Sequence, residues 1–580
     1  MNQMTIKPLG LSNYYLINEG SLIKELLEQA NPGIKTRTAI KKLAVKLVNN
    51  VRSHINEMDG VDAFMKEYDL SSKEGIVLMC MAEALLRIPD KETAEKLIKD
   101  KLLDADWKSH MGKSDSMFVN ASTWGLMLTG KIIHVDENKS GFSKVLDKLL
   151  NKTGEPMVRK GVYQAMKVMG RQFVMGETIK KALKRANNKK NKMYRYSFDM
   201  LGEAALTKSD AERYLQSYLD AIKAISLANS KKTFEDAASI SIKLSALHPR
   251  YEIANVKRVL RELVPNVKKI VDLATKLNVA VTVDAEEADR LELSLLVFEK
   301  IYQQLKPGYD GFGIVVQAFQ KRAINVIDYL SNLFEKYGHK IPLRLVKGAY
   351  WDTEIKRSQE QGLENYPVFT RKVNTDISYL ACSRKLLAQR DKFYPQFATH
   401  NANTVAAVRV LANDNLGYEF QRLHGMGQAL HKQSIDPQGL NVPCRVYAPV
   451  GSHKDLLPYL VRRLLENGAN TSFVNRLVDL ELDIDDITKD PVEVVGKHFQ
   501  HMHPQISLPK DIFQPERENS QGINLADLAT LQNLEKELAS LKSEKITATP
   551  PHFPSYIGSG KPASVQYLIT FTVPRPHSSI

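Results

Sequence analysis

SISIKLSALHPRYEIANVKRVLRELVPNVKKIVDLATKLNVAVTVDAEE, residues 239–287, joins two short apolar runs through one long amphipathic segment. SISIKLSAL (239–247) and VAVTVDAEE (279–287) are rich in β-branched residues, which suits buried strands. Between them, VKRVLRELVPNVKKIVDLATKL repeats its apolar residues at three- and four-residue spacing, the period of a helix with one buried face. A strand, a covering helix and a second strand form the unit that links parallel neighbours in a sheet. The same unit recurs outward in both directions. YRYSFDML (194–201) precedes it, and GIVVQAF (313–319), PLRLVKGAY (342–350), QFATH (396–400), YEFQRLHG (418–425) and RVYAPVG (445–451) follow. Helical text such as AERYLQSYLDAIKAI and VIDYLSNLFEKYG separates most of these runs. Eight strand–helix units predict an α/β fold, a closed (β/α)8 barrel over residues 191–485, and a span of about 290 residues suits it.

Upstream text predicts helices without strands. GIVLMCMAEALLRI (75–88) and AEKLIKDKLLDADW (94–107) carry the helical period, and Asp90 with Thr93 and Glu95 marks a helix start. Residues 1–60 are expected to form an N-terminal arm and 61–190 a helical domain that wraps or supports the barrel. Residues 486–545 read as a linker with one more helix from 526. From 546 the chain holds Pro550, Pro551, Pro554, Pro562, Pro574 and Pro576 among Gly and Ser, a composition expected to stay disordered.

Composition narrows the function classes. Hydrophobic residues at 43% and charged residues at 25% are ordinary for a globular protein. There is no run of eighteen uncharged apolar residues to span a bilayer, and MNQMTIKPLGLSNYYL lacks the features of a signal peptide. Cys80, Cys382 and Cys444 are the only cysteines, which excludes a disulfide scaffold and points to the cytoplasm. The 81 Lys and Arg against 66 Asp and Glu give a net charge of +15. The densest cluster, Lys180, Lys181, Lys184, Arg185, Lys189, Lys190, Lys192 and Arg195, reads as a helix end running into a loop. It suits a solvated loop better than a phosphate-binding patch. No G-x-G-x-x-G follows a strand, Gly558–Lys561 lacks P-loop spacing, and no metal-ligand spacing or nucleophile elbow stands out.

In such barrels the reacting groups stand at the C-terminal ends of the strands. Lys243, Asp284, Gln317, Lys347, His400, His424 and Tyr447 fall there, on seven different strands, so the fold brings them to one mouth. After the eighth strand, Tyr459, Arg462, Arg463 and Glu466 share one helix face while Leu460, Val461, Leu464 and Leu465 take the other. That face reads either as a solvated amphipathic surface or as a pair of guanidiniums holding a carboxylate.

Seven motifs in order, ISIKLSALHPRY, VTVDAEE, LRLVKGAYWD, ATHN, HGMG, YAPVG and YLVRRLLENGANTSFVNR, resemble the proline dehydrogenase module of proline utilization A. The resemblance runs over about residues 60–515 and includes LLRIPDKETA and SLPKDIF. It implies a barrel that binds FAD without a Rossmann fold and oxidises L-proline to Δ1-pyrroline-5-carboxylate, with electrons leaving to a quinone. Arg462, Arg463 and Lys243 match the groups that hold the proline carboxylate. Asp284 matches an acid bonded to the second arginine and to a tyrosine, and Tyr447 matches that tyrosine. Tyr459 and Glu466 complete the helix face and help to position its arginines; Glu466 is also counted with the cofactor-binding residues. Arg344, Val346, Lys347, Gly348, Tyr350 and Trp351 match a segment along the flavin, and Gln317, Thr399, His400 and Asn401 match further FAD contacts.

Full-length members of this family continue into an aldehyde dehydrogenase module. Here residues 519–538 resemble its lead-in before the proline-rich tail, so a truncated or frame-shifted product lacking the second activity is expected. The N-terminal part shows no convincing DNA-binding domain. The expected location is cytoplasmic, with peripheral association at the inner face of the membrane left open, and the oligomeric state is not specified. Two other classes stay in view: a basic protein binding nucleic acid or anionic membrane through the 180–195 cluster, and an inactive remnant.

Overall fold

Every one of the eight apolar runs forms a strand. The computed structural model of the chain describes residues 9–54, 174–229, 233–414, 416–451, 476–477, 479–497 and 502–541. The strands are β1 (Arg195–Met200), β2 (Ser239–Ile242), β3 (Val281–Val283), β4 (Phe312–Gln317), β5 (Ile341–Val346), β6 (Phe393–Ala398), β7 (Glu419–Leu423) and β8 (Cys444–Val450). They pair in chain order, all parallel, and β8 returns to β1 with Phe198 opposite Ala448 to close the barrel.

Helices α1 (Glu19–Ala30), α2 (Ile34–Ser53) and α3 (Ile179–Ala186) precede β1. The barrel is covered by α4 (Lys208–Ala228), α5 (Val256–Leu277), α6 (Leu291–Tyr302), α7 (Ala323–Tyr337), α8 (Trp351–Glu360), α9 (Lys372–Ala388), α10 (Ala402–Ala412) and α11 (Gln428–Ile435). Helices α12 (Ile484–Ile487), α13 (Pro491–Lys497) and α14 (Leu528–Leu541) follow. The period read in the central segment is the buried stripe of α5: Val259, Leu263, Val267, Ile270, Val271 and Ala274 all face the sheet side and are buried. Each large aliphatic side chain there contributes about 1.5–3 kcal/mol by leaving water. Asn278, left-handed at φ 55°, ends the helix and turns the chain into β3. A capping box of Thr207 and Asp210 starts α4.

The interior of the barrel is unusual in being polar. Barrels of this kind are commonly filled by branched apolar side chains. Here Arg344 of β5 crosses the interior to Ser197 of β1, Ser241 of β2 and Gln421 of β7. Deeper, Glu419 of β7 pairs with Arg445 of β8 and Arg195 of β1.

The arm at the N-terminus lies on the barrel helices, with α1 against α9 and α2 against α10. Glu19 opens α1 and is buried; its carboxylate accepts from Thr370 N, Thr370 Oγ1 and Asn374 Nδ2. Lys321 donates to the carbonyl of Ile17 at 2.8 Å, and Arg37 pairs with Asp490 near α13. Residues 174–176 run beside the end of β8, where Gly176 bridges Val450. Except for Arg195, which lies in β1 and pairs with Glu419 inside the barrel, the basic cluster spans α3 and the loop after it. Arg185 there is a structural group, donating to Val174 O at 3.1 Å. Most of the expected helical domain, the expected helix with Tyr459, Arg462, Arg463 and Glu466, and the proline-rich tail lie outside the described residues. Among the described residues, no helix is long and apolar enough to cross a membrane.

Candidate active site

Strand geometry brings the sequence candidates to one end. Lys243 directly follows β2, Asp284 follows β3 and Tyr447 sits within β8, and their side chains meet. The Tyr447 hydroxyl donates to Asp284 Oδ2 at 2.7 Å, the contact expected of that pair. Lys243 Nζ lies 3.3 Å from the Tyr447 hydroxyl and 3.6 Å from Asp284 Oδ2. The other Asp284 oxygen takes Arg344 Nη1 at 2.7 Å. Arg344 thus stands beneath the mouth, its guanidinium also 5.1 Å from the Tyr447 ring centroid.

One member of this cluster went unread in the sequence. Asp199 of β1 is fully buried and accepts from Lys243 Nζ at 2.8 Å, while its Oδ2 is buried with no hydrogen-bond partner. Burial pulls the Lys243 ammonium downward, but Asp199, then Tyr447 and Asp284, outweigh it and hold the pKa well above the ordinary lysine value. Burial, followed by the Asp199 and Asp284 charges, pushes the Tyr447 phenol well above its usual value. The site therefore holds a charged lysine, a charged arginine and a neutral tyrosine that donates to a carboxylate.

The remaining candidates form the rim. Gln317 ends β4 and donates to Glu286 O at 2.7 Å, fixing the loop after β3. Val346 ends β5, and Lys347 next to it pairs with Asp376. Gly348, at φ 147°, runs so close to Phe319 that a Cβ would meet its ring at 2.4 Å, so only glycine fits. Tyr350 precedes α8 at its N-cap position, and Trp351 Nε1 ties that helix start to Phe369 O at 2.8 Å. Thr399, His400 and Asn401 form the turn into α10: Thr399 Oγ1 accepts from Asn401 N, and Asn401 caps the helix through Thr404 N. His400 Nε2 accepts from Leu423 N at 3.2 Å, which places its proton on Nδ1. A Cβ on Gly427 would strike the His400 ring at 2.7 Å, so the HGMG turn is glycine-bound to this histidine. His424 is neutral, its pKa driven well below the usual value by burial and by Arg185 and Arg422; its buried Nε2 has no hydrogen-bond partner.

The sequence model of the family described as Proline dehydrogenase matches residues 182–476, half of the chain. The chain belongs to the proline dehydrogenase family. A second model, described as DNA-binding domain of Proline dehydrogenase, matches residues 60–173. That match corrects the expectation of no convincing DNA-binding domain: helical periodicity looks alike in supporting and in ligand-binding helices, so pattern alone did not separate them. The chain is 49% identical to the Bifunctional protein PutA of Escherichia coli (strain K12) over 562 residues, covering 94% of this chain and 42% of that one. It is 46% identical to the Rhizobium meliloti protein of the same name, covering 92% and 43%. Proline dehydrogenase 1 of Bacillus subtilis (strain 168) is 29% identical over 308 residues, 52% of this chain and 88% of that one. The chain thus spans less than half the length of the PutA relatives it matches. A crystal structure of Bradyrhizobium japonicum Proline Utilization A aligns with TM-score 0.72 at 44% identity, over 92% of this chain and 53% of that one. A structure of proline utilization A with proline bound in remote sites aligns with TM-score 0.72 at 42% identity, over 95% and 55%.

Among the described residues no cluster of His, Cys, Asp and Glu could hold a metal ion. The mouth does fit FAD. Two buried polar atoms there, Asp199 Oδ2 and His424 Nε2, lack partners, and the rim residues Lys347 and Gln317 carry N–H donors suited to an acceptor-rich flavin edge.

Proposed function

We propose that the chain oxidises L-proline to Δ1-pyrroline-5-carboxylate with FAD as cofactor. The observation that carries this is the Lys243–Tyr447–Asp284–Arg344 cluster at the mouth of a barrel of the proline dehydrogenase family. Bound FAD supplies the hydride acceptor at N5 and an exit for two electrons to a quinone. The chain's own residues orient the substrate. Lys243, with Arg462 and Arg463, binds the proline carboxylate, and Tyr447 lies against the ring. Glu466 and Tyr459 steady the two arginines. Gln317, Arg344, Val346, Lys347, Gly348, Tyr350, Trp351, Thr399, His400 and Asn401 hold the cofactor. Fixing the ring so that a C5 hydrogen faces the acceptor lowers the barrier by positioning. The substrate loses that hydride from C5 and a proton from nitrogen, leaving the C=N bond of the product.

We place this activity in the cytoplasm, with the protein peripheral to the membrane that holds the quinone. Purified protein carrying FAD is expected to bleach on anaerobic addition of L-proline. A flavin-loaded chain whose colour is unchanged by proline overturns the reading. The match at residues 60–173 favours a second function, DNA binding, which predicts a mobility shift that weakens steeply with salt.

A further inference from the structure

Below the mouth a directional chain of hydrogen bonds runs down the barrel axis. At its base Glu419, fully buried, accepts from Arg445 Nε at 2.6 Å and from Gln396 Nε2 and Gln421 Nε2, each at 2.9 Å, through Oε1. Its Oε2 accepts from Arg195 Nη1 and Arg445 Nη2, each at 3.1 Å. Gln421 is equally buried, and its Oε1 accepts from Arg344 Nε at 2.6 Å.

The chemistry of the two ends fixes the amide between them. A carboxylate only accepts and a guanidinium only donates, so the NH2 of Gln421 must face Glu419 and its oxygen must face Arg344. Arg344 in turn gives Nη1 to Asp284 and Nη2 to Ser197 and Ser241, so its fork has one orientation. Asp284 then receives the Tyr447 proton on its other oxygen. Stability alone does not call for such a column, because a packed apolar plug of the same volume is often as stable as a buried ionic one. What the polar column adds is direction.

We propose that Gln421 is a positioning residue, relaying the orientation imposed by Glu419 to Arg344 and so to the Asp284–Tyr447 pair. The proposal rests on the proline-oxidising reading of the mouth and deepens it. Gln421→Leu leaves Arg344 Nε–H unpaired in the interior and is expected to lower kcat/KM for L-proline about tenfold or more at every pH. Gln421→Glu sets a second carboxyl against Glu419, and it can keep that contact only while protonated. Relative to wild type, its kcat/KM is expected to be near one at the acid end and to fall at higher pH through a new ionisation. A role in packing alone would produce no such ionisation.

Both variants are measured as FAD-loaded protein, and their crystal structures report the Arg344–Asp284 contact independently of turnover. Should the leucine variant fail to fold, the ionisation in the glutamate variant still decides. Wild-type ratios at all pH values with Arg344 still on Asp284 overturn the proposal while leaving the reading of the mouth intact. A wild-type holoenzyme unresponsive to proline overturns that reading instead, and displacement of the Arg344 fork in the variants still supports the relay.

Discussion

Asp199→Asn is the sharpest probe of the site, because it removes one charge while keeping the shape of the side chain and an oxygen that can accept from Lys243. Burial is the largest influence on Lys243 and acts downward; Asp199 is the largest influence acting upward. With the charge gone, Tyr447 and Asp284 remain, at 3.3 and 3.6 Å, against a full burial penalty. Burial disfavours the ammonium, so with its largest upward influence removed the variant's lysine is expected to titrate below the ordinary lysine value. Carboxylate binding needs the charged form. The variant's kcat/KM, divided by that of wild type, is therefore expected to fall about tenfold per pH unit once the lowered lysine has lost its proton. In wild type the raised lysine contributes stability that is complete below the unfolded pKa of about 10.4 and is lost only above it. In the variant the folded pKa lies below the unfolded one, so its stability deficit shrinks as pH rises between the two. Breaking a buried pair costs about 3–5 kcal/mol, and the retained neutral acceptor puts this variant toward the lower end. The assay is flavin reduction by L-proline in a pH series from about 7 to 10, alongside urea unfolding. A ratio that stays flat across that range refutes the argument that Asp199 keeps Lys243 charged.

Arg462→Met and Arg463→Met are each expected to retain the flavin and to lose turnover, since a charge-assisted bond is worth about 1.5–3 kcal/mol; near-normal kcat/KM in both removes these arginines from the carboxylate site. Glu354 of α8 accepts from Ala288 N at 2.7 Å, and burial pushes its carboxyl up to about 7. Its protonated form is favoured on folding, so the stability it contributes is complete below about 4.5 and is lost as pH rises through 7, about 3 kcal/mol in all. Glu354→Gln should abolish that loss in urea unfolding at pH 5 and 8, and an unchanged pH dependence contradicts it. Proline with a quinone acceptor and NAD⁺ should yield pyrroline-5-carboxylate without NADH from these 580 residues. The described thiols, Cys382 and Cys444, are buried and pushed up to about 12, so neither suits the nucleophile that aldehyde oxidation needs; proline-dependent NADH from the pure chain contradicts this.

The barrel was legible because its strands are short β-branched runs bounded by helical text, and each sits within a few residues of its expected place. The rim was legible for a related reason: a polar residue just past an apolar strand has few places to go in this fold except the mouth. The interior column was not. Arg344 stood out only through family resemblance, and Glu419, Gln421 and Arg445 were passed over as strand residues. Their partners are distant in sequence, Arg344 from Gln421 by 77 positions and Arg195 from Glu419 by 224, and a single chain does not display such pairings. A signal did exist. EFQRL and CRVYA place polar residues at alternate positions of a strand, and PLRLV sets one arginine in an apolar run, where two buried faces lead one to expect apolar residues. Asp199 shows the same signature in YRYSFDML, two residues after Ser197 and on the same face.

The charge count of the mouth says why the missed residue matters. Lys243 and Arg344 carry two positive charges and, as ion-pair partners, Asp199 and Asp284 two negative ones, with burial pushing the Asp199 carboxyl up against the pull of Lys243; Tyr447 is neutral. Among the described residues the cluster is balanced, and the lysine's closest partner is already a carboxylate at 2.8 Å. A substrate carboxylate entering this site meets no net positive charge from these five groups. Lys243 alone would have to exchange one carboxylate for another, a trade with little net gain. Tight and oriented binding of proline therefore requires cations from outside the cluster, and on the proposed reading Arg462 and Arg463 supply two of them, guanidinium forks being matched to a carboxylate. Asp199 thus has two effects that pull apart in experiment: it keeps Lys243 charged, and it makes the arginine pair indispensable. Neutralising it should weaken the dependence on either arginine. Asp199→Asn combined with Arg462→Met should cost less at neutral pH than the product of the two single losses, and simple multiplication of the losses would show that the charge balance plays no part.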